Sequence, residues 1–456
     1  MPKLVTLLVL ATLGVASRAN ADAPSFRLST FQADVTPPMG HPLMGGGIAP
    51  AKEVIDRVQA KGVILIGGEK PVVIVAVDWC EIRNEAYDRW RTAIAEAVGT
   101  DRARVLVSSN HQHDVPVADL DAERILLARG LVGRVTNLEF HEEVVRRVAK
   151  AAAESIPNAK RVTHLGTGQA KVVGVASNRR YLRADGSISF DRTSASKSAE
   201  AQSQPEGIID PWLKTLSFWD GETPLAALSI YATHPMSFYG KGGVTKDFVG
   251  LAREARQAAN PSVFQIYASG CSGNVTAGKY NDGSPANRGI LAGKIEAAMA
   301  EAFLATTRHP LTCCDFRVVP LRLEPRNDEG FTPVDLEKRL SPASKPFDQC
   351  LAAMGLSWRK RADAGATIDV PALDFGPAQW LLLPGESYVE YQLYAQSVRP
   401  DSFVLTSGYG ECATGYVPTE RAIAEHDTNL HDWCWVAPGA EPRMHAAIRA
   451  VLEPHR

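Results

Sequence analysis

Charge of one sign is not in excess in this chain: 49 Lys and Arg stand against 51 Asp and Glu, for a formal net charge of −2. With no basic stripe either, there is no electrostatic case for nucleic acid or an anionic membrane surface as a partner. Seven cysteines form no C-x-x-C pair, which argues against a cysteine-built zinc site. No internal repeat is visible. Beyond the first residues, no apolar run approaches the ~20 residues that a membrane-spanning helix needs. Hydrophobic content of 45% and charged content of 22% are those of an ordinary globular protein.

The start of the chain reads as an export leader over residues 1–21: Lys3, an apolar stretch over 4–16, then the small-residue site Ala19-Asn20-Ala21. The apolar stretch is too short for a membrane anchor, so the expected localisation is secreted or periplasmic. Residues 22–456 can bury a large core. An oxidising compartment permits disulfides, for which Cys412 with Cys434, or Cys350 with a partner, are the candidates. The odd count leaves one thiol over.

Residues 105–114 read VLVSSNHQHD, an apolar run ending abruptly in polar side chains that include His111 and His113. Such a boundary marks a buried strand opening into a loop, and the ends of strands in α/β sheets collect ligands. The pattern recurs in LSIYATHP (ending near His234), VFQIYASGCSGN (Asn274), WLLLPGE (Glu386) and SFVLTSGYGECATGY (Tyr416). The expectation is that one side of a sheet carries them all. A lone histidine at such a place is more often a satisfied structural residue; convergence changes the odds. In a strand, His111 and His113 face the same side. Two imidazoles and a carboxylate are a minimal zinc set with a position left for water, whose pKa then falls toward ~7. Glu386 stands where such a carboxylate is delivered, and Tyr416 can join as a phenolate beside a dication. The glycine-rich turn at 269–274 is either an oxyanion hole of backbone N–H groups or a tight turn. Ser272 there lacks the G-x-S-x-G register of a serine nucleophile.

Elsewhere the pattern predicts strands at 26–35, 63–66 and 72–78, helices at 85–98 and 139–155, and extended chain over 161–175. A polar loop over 177–210, with a low-complexity run, is expected to be mobile and to cover the site. A hairpin (213–219, 225–231), a helix at 248–259, a strand at 263–267 and a helix at 287–303 follow. Residues 315–323 alternate. The stretch 324–367 is the least patterned and reads as an insertion or a small helical lid. Strands at 378–383 and 402–406 flank a helix. GHPLMGGG at 40–47 has four glycines in eight residues, as a close backbone approach requires. The predicted class is α/β, with mixed β-sheets flanked by helices and the active site at strand-end loops.

Six segments, in order, resemble motifs of the neutral, non-lysosomal ceramidase family over residues 30–425. SSNHQHD is similar to SSTHTHS, VASNRR to AxxNRSP and IYATHP to FACHP; ASGCSGNVT is similar to ASSNLGDVSPN, PGE to PGE and TGYVPTE to YVTTPEE. The resemblance implies one Zn2+ held by His111, His234, Glu386 and Tyr416, and an amidase in which activated water attacks an N-acyl carbonyl. It implies that His113 assists proton transfer, and that Arg179 with the 273–276 turn, including Asn274 and Thr276, binds substrate or oxyanion. The expected partner is a small N-acyl molecule, lipid by family. Departures are specific. The family's Asp-Val-Ser becomes Asn274-Val275-Thr276, and Arg180-Tyr181 replace the NRSP serine and proline. The sequence stops about where the family's C-terminal immunoglobulin-like domain would begin, and no such separate domain is expected in residues 22–456. Metal chemistry is therefore better supported than ceramide as substrate. Three alternatives stand beside it: a zinc hydrolase of a non-lipid amide or ester, a catalytically inactive binding protein on the same scaffold, and a serine hydrolase using Ser272. Amino-terminal sequencing of the exported protein is expected to begin near Asp22; an intact Met1 would overturn the leader reading.

Overall fold

The computed structural model describes residues 25–453, so the leader expected over 1–21 lies outside the described residues. Aliphatic and β-branched runs form strands buried on both faces. In Val72–Val77 (VVIVAV) every residue is buried, and alternate side chains enter different cores. Val73, Val75 and Val77 belong to one, and Val72, Ile74 and Ala76 to the other.

Three sheets share this logic. The first runs Val105–Ser109, Val72–Val77, Gln59–Ile66, Phe26–Asp34, Lys160–Val162. The second runs Phe264–Ser269, Thr223–Tyr231, Trp212–Asp220, His164–Lys171, Thr307–Pro310, and the third Asp315–Leu321, Ile368–Asp374, Ala378–Leu382, Phe403–Ser407. Each is antiparallel except for one parallel pair at an edge: 72–77 with 105–109, 223–231 with 264–269, and 378–382 with 403–407. Parallel neighbours need a crossover, and a helix supplies each one: Asn84–Val98, Asp247–Ala259 and Val389–Val398. Three strand–helix–strand units thus stand where the sequence shows no repeat.

The inner faces of the sheets close on one core, with Leu28, Ile74 and Leu106 from the first, Leu228, Ile230 and Ile266 from the second, and Trp380, Leu382 and Leu405 from the third. Helices cover the outer faces. Asp247–Ala259 and Pro285–Leu304 cover the second sheet, while Asn84–Val98 and Leu138–Ser155 cover the first. The mixed α/β class predicted from sequence is the class observed. No helix among the described residues is long and apolar enough to cross a membrane.

Four expectations need correction. The strand ends belong to three sheets rather than one. The stretch 324–367 contains the helix Pro346–Asp363, whose Cys350, Leu351, Met354 and Trp358 are buried in the main core. It is core and no lid, and its bounds were hidden because neighbours cover it nearly all round, so no polar face marks its period. The 177–210 loop is packed around Arg192, a fully buried guanidinium donating to the carbonyls of Asn178, Ala201, Gln204, Pro205 and Glu206. All seven cysteines are free, including Cys350, Cys412 and Cys434. The glycine run behaves as expected: a Cβ on Gly46 (φ 86°) would lie 2.6 Å from the Arg134 carbonyl.

One ion pair ties the first sheet to the second. Asp78, at the end of its strand and 0% exposed, receives both Arg253 Nη1 (2.7 Å) and Nη2 (2.8 Å) from the helix behind the second sheet. Burial alone would raise this carboxyl; Arg253 outweighs it and holds the pKa below the usual carboxylate range. Removing one partner strands the other charge in the interior. Arg253→Met is therefore expected to lower stability by about 3–5 kcal/mol, read by denaturant unfolding; a loss within experimental error would contradict the assignment.

Candidate active site

The strand Val105–Ser109 stops at two backbone bonds, Asn110 N–H to Val77 O (2.8 Å) and His111 N–H to Trp79 O (2.9 Å). His111 then adopts φ 64°, a left-handed conformation that costs a non-glycine residue free energy and persists only when its surroundings enforce it. Asp78 enforces it, accepting from Asn110 Nδ2 (2.9 Å) and Gln112 Nε2 (3.2 Å) on either side of the histidine. The His111 and His113 rings, 5.3 Å apart between centroids, thus meet through a backbone kink and not through strand alternation.

His234 follows the strand Thr223–Tyr231, its N–H bonded to Val275 O (2.9 Å). Glu386 and Tyr416 lie opposite each other in a two-residue parallel bridge, Glu386–Ser387 with Tyr416–Val417. Gly273 has no room for a side chain, because the Glu386 carbonyl occupies the place of its Cβ.

Ligand atoms of His111, His234 and Glu386 lie within 4.8 Å of one another, and all three residues are buried. Glu386 Oε2 is 3.3 Å from His111 Nε2 and 3.0 Å from His234 Nε2. The opposite ring nitrogens face carbonyls: His111 Nδ1 is 2.9 Å from Cys80 O, and His234 Nδ1 is 2.6 Å from Ser272 O. A carbonyl only accepts, so both Nδ1 atoms carry a hydrogen and both Nε2 atoms face the carboxylate. Three such atoms converging in a buried place repel unless a proton or a metal cation lies among them. This donor set, two neutral imidazoles and a carboxylate, fits a divalent metal ion. Protonation responds to the same field. Burial opposes charge on His111, but the Glu386 carboxylate outweighs burial and raises its pKa well above the ordinary value. Burial lowers His234 to about 4.

Tyr416 borders the same cavity, of about 320 Å3, with His113, Arg179, Met236, Tyr239 and Trp433. Its hydroxyl accepts from Arg179 Nη1 at 2.8 Å. Burial pushes its phenol up, and Arg179 opposes the rise. Arg179 Nε and His113 Nδ1 are buried without hydrogen-bond partners among the described residues. Burial, then the two neighbouring histidines, pushes the His113 pKa well below the ordinary value, so the ring is neutral near pH 7.

Other expectations fall elsewhere. Asn274 is turned away from the cavity: Oδ1 accepts from Val389 N–H (2.9 Å) at the start of the helix Val389–Val398, and Nδ2 donates to Glu390 (2.8 Å). Thr276 Oγ1 donates to Thr193 O (2.6 Å). Their contribution runs through the backbone, with Asn274 O accepting from Arg179 N–H (2.8 Å). In the glycine-rich turn the amides of Gly270, Cys271, Gly273 and Val275 are already engaged, donating to Tyr231 O, Gln392 Oε1, Ser387 O and Ser272 O, which leaves those four no hydrogen for an oxyanion. The Ser272 hydroxyl is fully buried on the Tyr409 hydroxyl (2.7 Å), with a phenol where a serine nucleophile needs a base. Tyr409, stacked on His111 at 4.4 Å, was missed, although it lies inside the fifth strand-end segment. Cys80, whose carbonyl fixes the His111 tautomer, was read only as buried.

No family model matches the sequence, and no curated protein does. Solved structures do match: the fold and site define an α/β chain whose strand ends gather histidines and a carboxylate, and neutral ceramidase has that fold. The enzyme from Pseudomonas aeruginosa aligns over 94% of this chain and 74% of its own at 16% identity, with a TM-score of 0.69. A ceramidase complexed with C2 aligns over 94% and 75% at 15% identity, again with a TM-score of 0.69. Since Asn274 anchors a helix, Asn274→Ala is expected to cost about 1 kcal/mol of stability while leaving metal content unchanged; thermal unfolding with elemental analysis checks both.

Proposed function

We propose that this chain is an exported, zinc-dependent hydrolase of N-acyl amide bonds, ceramidase-like in chemistry. The observation that carries the reading is the convergence of His111 Nε2, His234 Nε2 and Glu386 Oε2 with both tautomers fixed by carbonyls. The fold shared with neutral ceramidases supports it at low identity. His111, His234 and Glu386 would hold one zinc ion, with Tyr416 as the fourth candidate beside them; imidazole and carboxylate suit that metal. When bound, zinc supplies a Lewis acid and brings the pKa of water near neutrality.

The remaining roles belong to the chain. His113, neutral and with an unpartnered ring nitrogen, can take a proton from the attacking water and return it to the departing amine. Arg179, held against Tyr416 and 4% exposed, offers N–H groups to a carbonyl oxygen as charge develops on it. Met236, Tyr239 and Trp433 shape an apolar wall for the acyl side of the substrate. Export, implied by the leader sequence, places the reaction outside the cytoplasm.

The test is elemental analysis of the mature protein, followed by hydrolysis of short- and long-chain N-acyl amides with and without chelator. Wild type is expected to carry one zinc per chain and to lose turnover on chelation. His111→Ala is expected to lose both metal and turnover while keeping the wild-type circular dichroism spectrum. A metal-free wild type that hydrolyses N-acyl amides, or undiminished turnover in His111→Ala, would sink the proposal.

A further inference from the structure

Residues 408–410 touch all three sheets where the chain leads into the candidate metal ligands. Gly408 N–H donates to Ser269 O (2.9 Å), and Ser269 is paired with Tyr231 at the strand ends that run toward His234. Tyr409 O accepts from Ser109 N–H (2.9 Å), just before His111, and Tyr409 N–H donates to Gly385 O (3.0 Å), next to Glu386. Tyr409 is fully buried and adopts φ 58°. That left-handed conformation costs an aromatic residue free energy and persists only where its surroundings enforce it. The side chain does not border the histidine cavity, so it is not placed to touch a substrate there.

Its reach is toward the two imidazoles. The ring stacks on His111, with centroids 4.4 Å apart and planes 20° from parallel. His111 Nδ1 donates to Cys80 O, and that single hydrogen bond aims the ring without fixing its rotation about the bond. A stacked aromatic face removes that freedom. The Tyr409 hydroxyl lies 2.7 Å from Ser272 Oγ and 3.5 Å from His234 Nδ1. The carbonyl of the same serine holds His234 Nδ1 at 2.6 Å. The Ser272 hydroxyl is fully buried and has no other hydrogen-bond partner among the described residues. Losing the phenol oxygen would leave it unsatisfied, and the serine free to shift.

We propose that Tyr409 is a positioning residue of the candidate metal centre: its ring sets the plane of the His111 imidazole, and its hydroxyl, through Ser272, holds His234 on target. The proposal rests on the metal part of the reading given above and does not need the hydrolase part. Asp78 fixes the backbone that carries His111; Tyr409 fixes the ring at its end.

Zinc affinity of the full chain, measured by competition with a chromophoric chelator, tests it together with the visible absorption of the cobalt(II)-loaded protein. Tyr409→Phe keeps the ring and removes one oxygen; it is expected to weaken zinc about tenfold and to shift the cobalt bands. Tyr409→Leu removes ring and hydroxyl and is expected to weaken zinc about a hundredfold. Ser272→Ala is expected to match Tyr409→Phe, and the double variant to be no weaker than either, because both act along one path. Denaturant unfolding of the metal-free proteins isolates packing, which would lower stability and leave the zinc affinity of the folded chain unchanged. Wild-type affinity with an unshifted cobalt spectrum in folded Tyr409→Phe and Tyr409→Leu would overturn the proposal. Losses from Tyr409→Phe and Ser272→Ala that multiply in the double variant would overturn the path through Ser272. A wild type that takes up neither zinc nor cobalt removes the metal reading and this one with it. A wild type that binds zinc, hydrolyses no N-acyl amide and shows the expected losses in the variants removes the hydrolase reading alone.

Discussion

The relative placement of the two metal-directed histidines rests on a carboxylate with no exposed surface. Asp78 takes two hydrogen bonds from Arg253 and one from each of Asn110 and Gln112, so a single side chain fixes both the docking of two sheets and the kink that carries His111. Its position at the end of Val72–Val77 follows from the apolar run before it, and its partner comes from the crossover helix of another sheet. Neither residue borders the cavity. The geometry of the candidate centre is therefore inherited from the way the sheets are joined.

The candidate centre is a place where repulsion has been built in. Imidazole Nε2 atoms, oriented by carbonyls behind each ring, face a buried carboxylate. A proton on His111 relieves the repulsion in part, whereas a divalent cation would use all three donors at once. The rim is built differently: the Tyr416 hydroxyl accepts from Arg179, and His113 is left uncharged by burial. The chain thus separates groups suited to holding a metal from groups suited to handling substrate and protons.

Much of this was legible in the sequence because the relevant signal is local. An apolar run that breaks off into His, Glu or Tyr marks a strand end, and the ends of Val105–Ser109, Thr223–Tyr231 and Ala378–Leu382 were read that way. The non-local parts were not legible. Nothing in VLVSSNHQHD states that His111 turns into left-handed space, since the cause is Asp78, over thirty residues away. Asn274 and Thr276 were assigned to the cavity by resemblance, yet their side chains answer the needs of a helix start and of a loop carbonyl. That the helix Pro346–Asp363 belongs to the core and not to a lid was not legible, because sequence periodicity marks a helix with a wet side, and this one has little.

The three crossover units have a kinetic consequence. His111, His234 and Glu386 each leave a different sheet: His111 just after the first strand–helix–strand unit, and His234 and Glu386 inside the second and third. Nascent modules can collapse early, through contacts close in sequence, without any affinity for a cation. Coordination becomes possible only when all three have docked, the slow step dominated by long-range closure. Metal capture would then report the completion of folding, and a chain with one unit still undocked would pass the ion by.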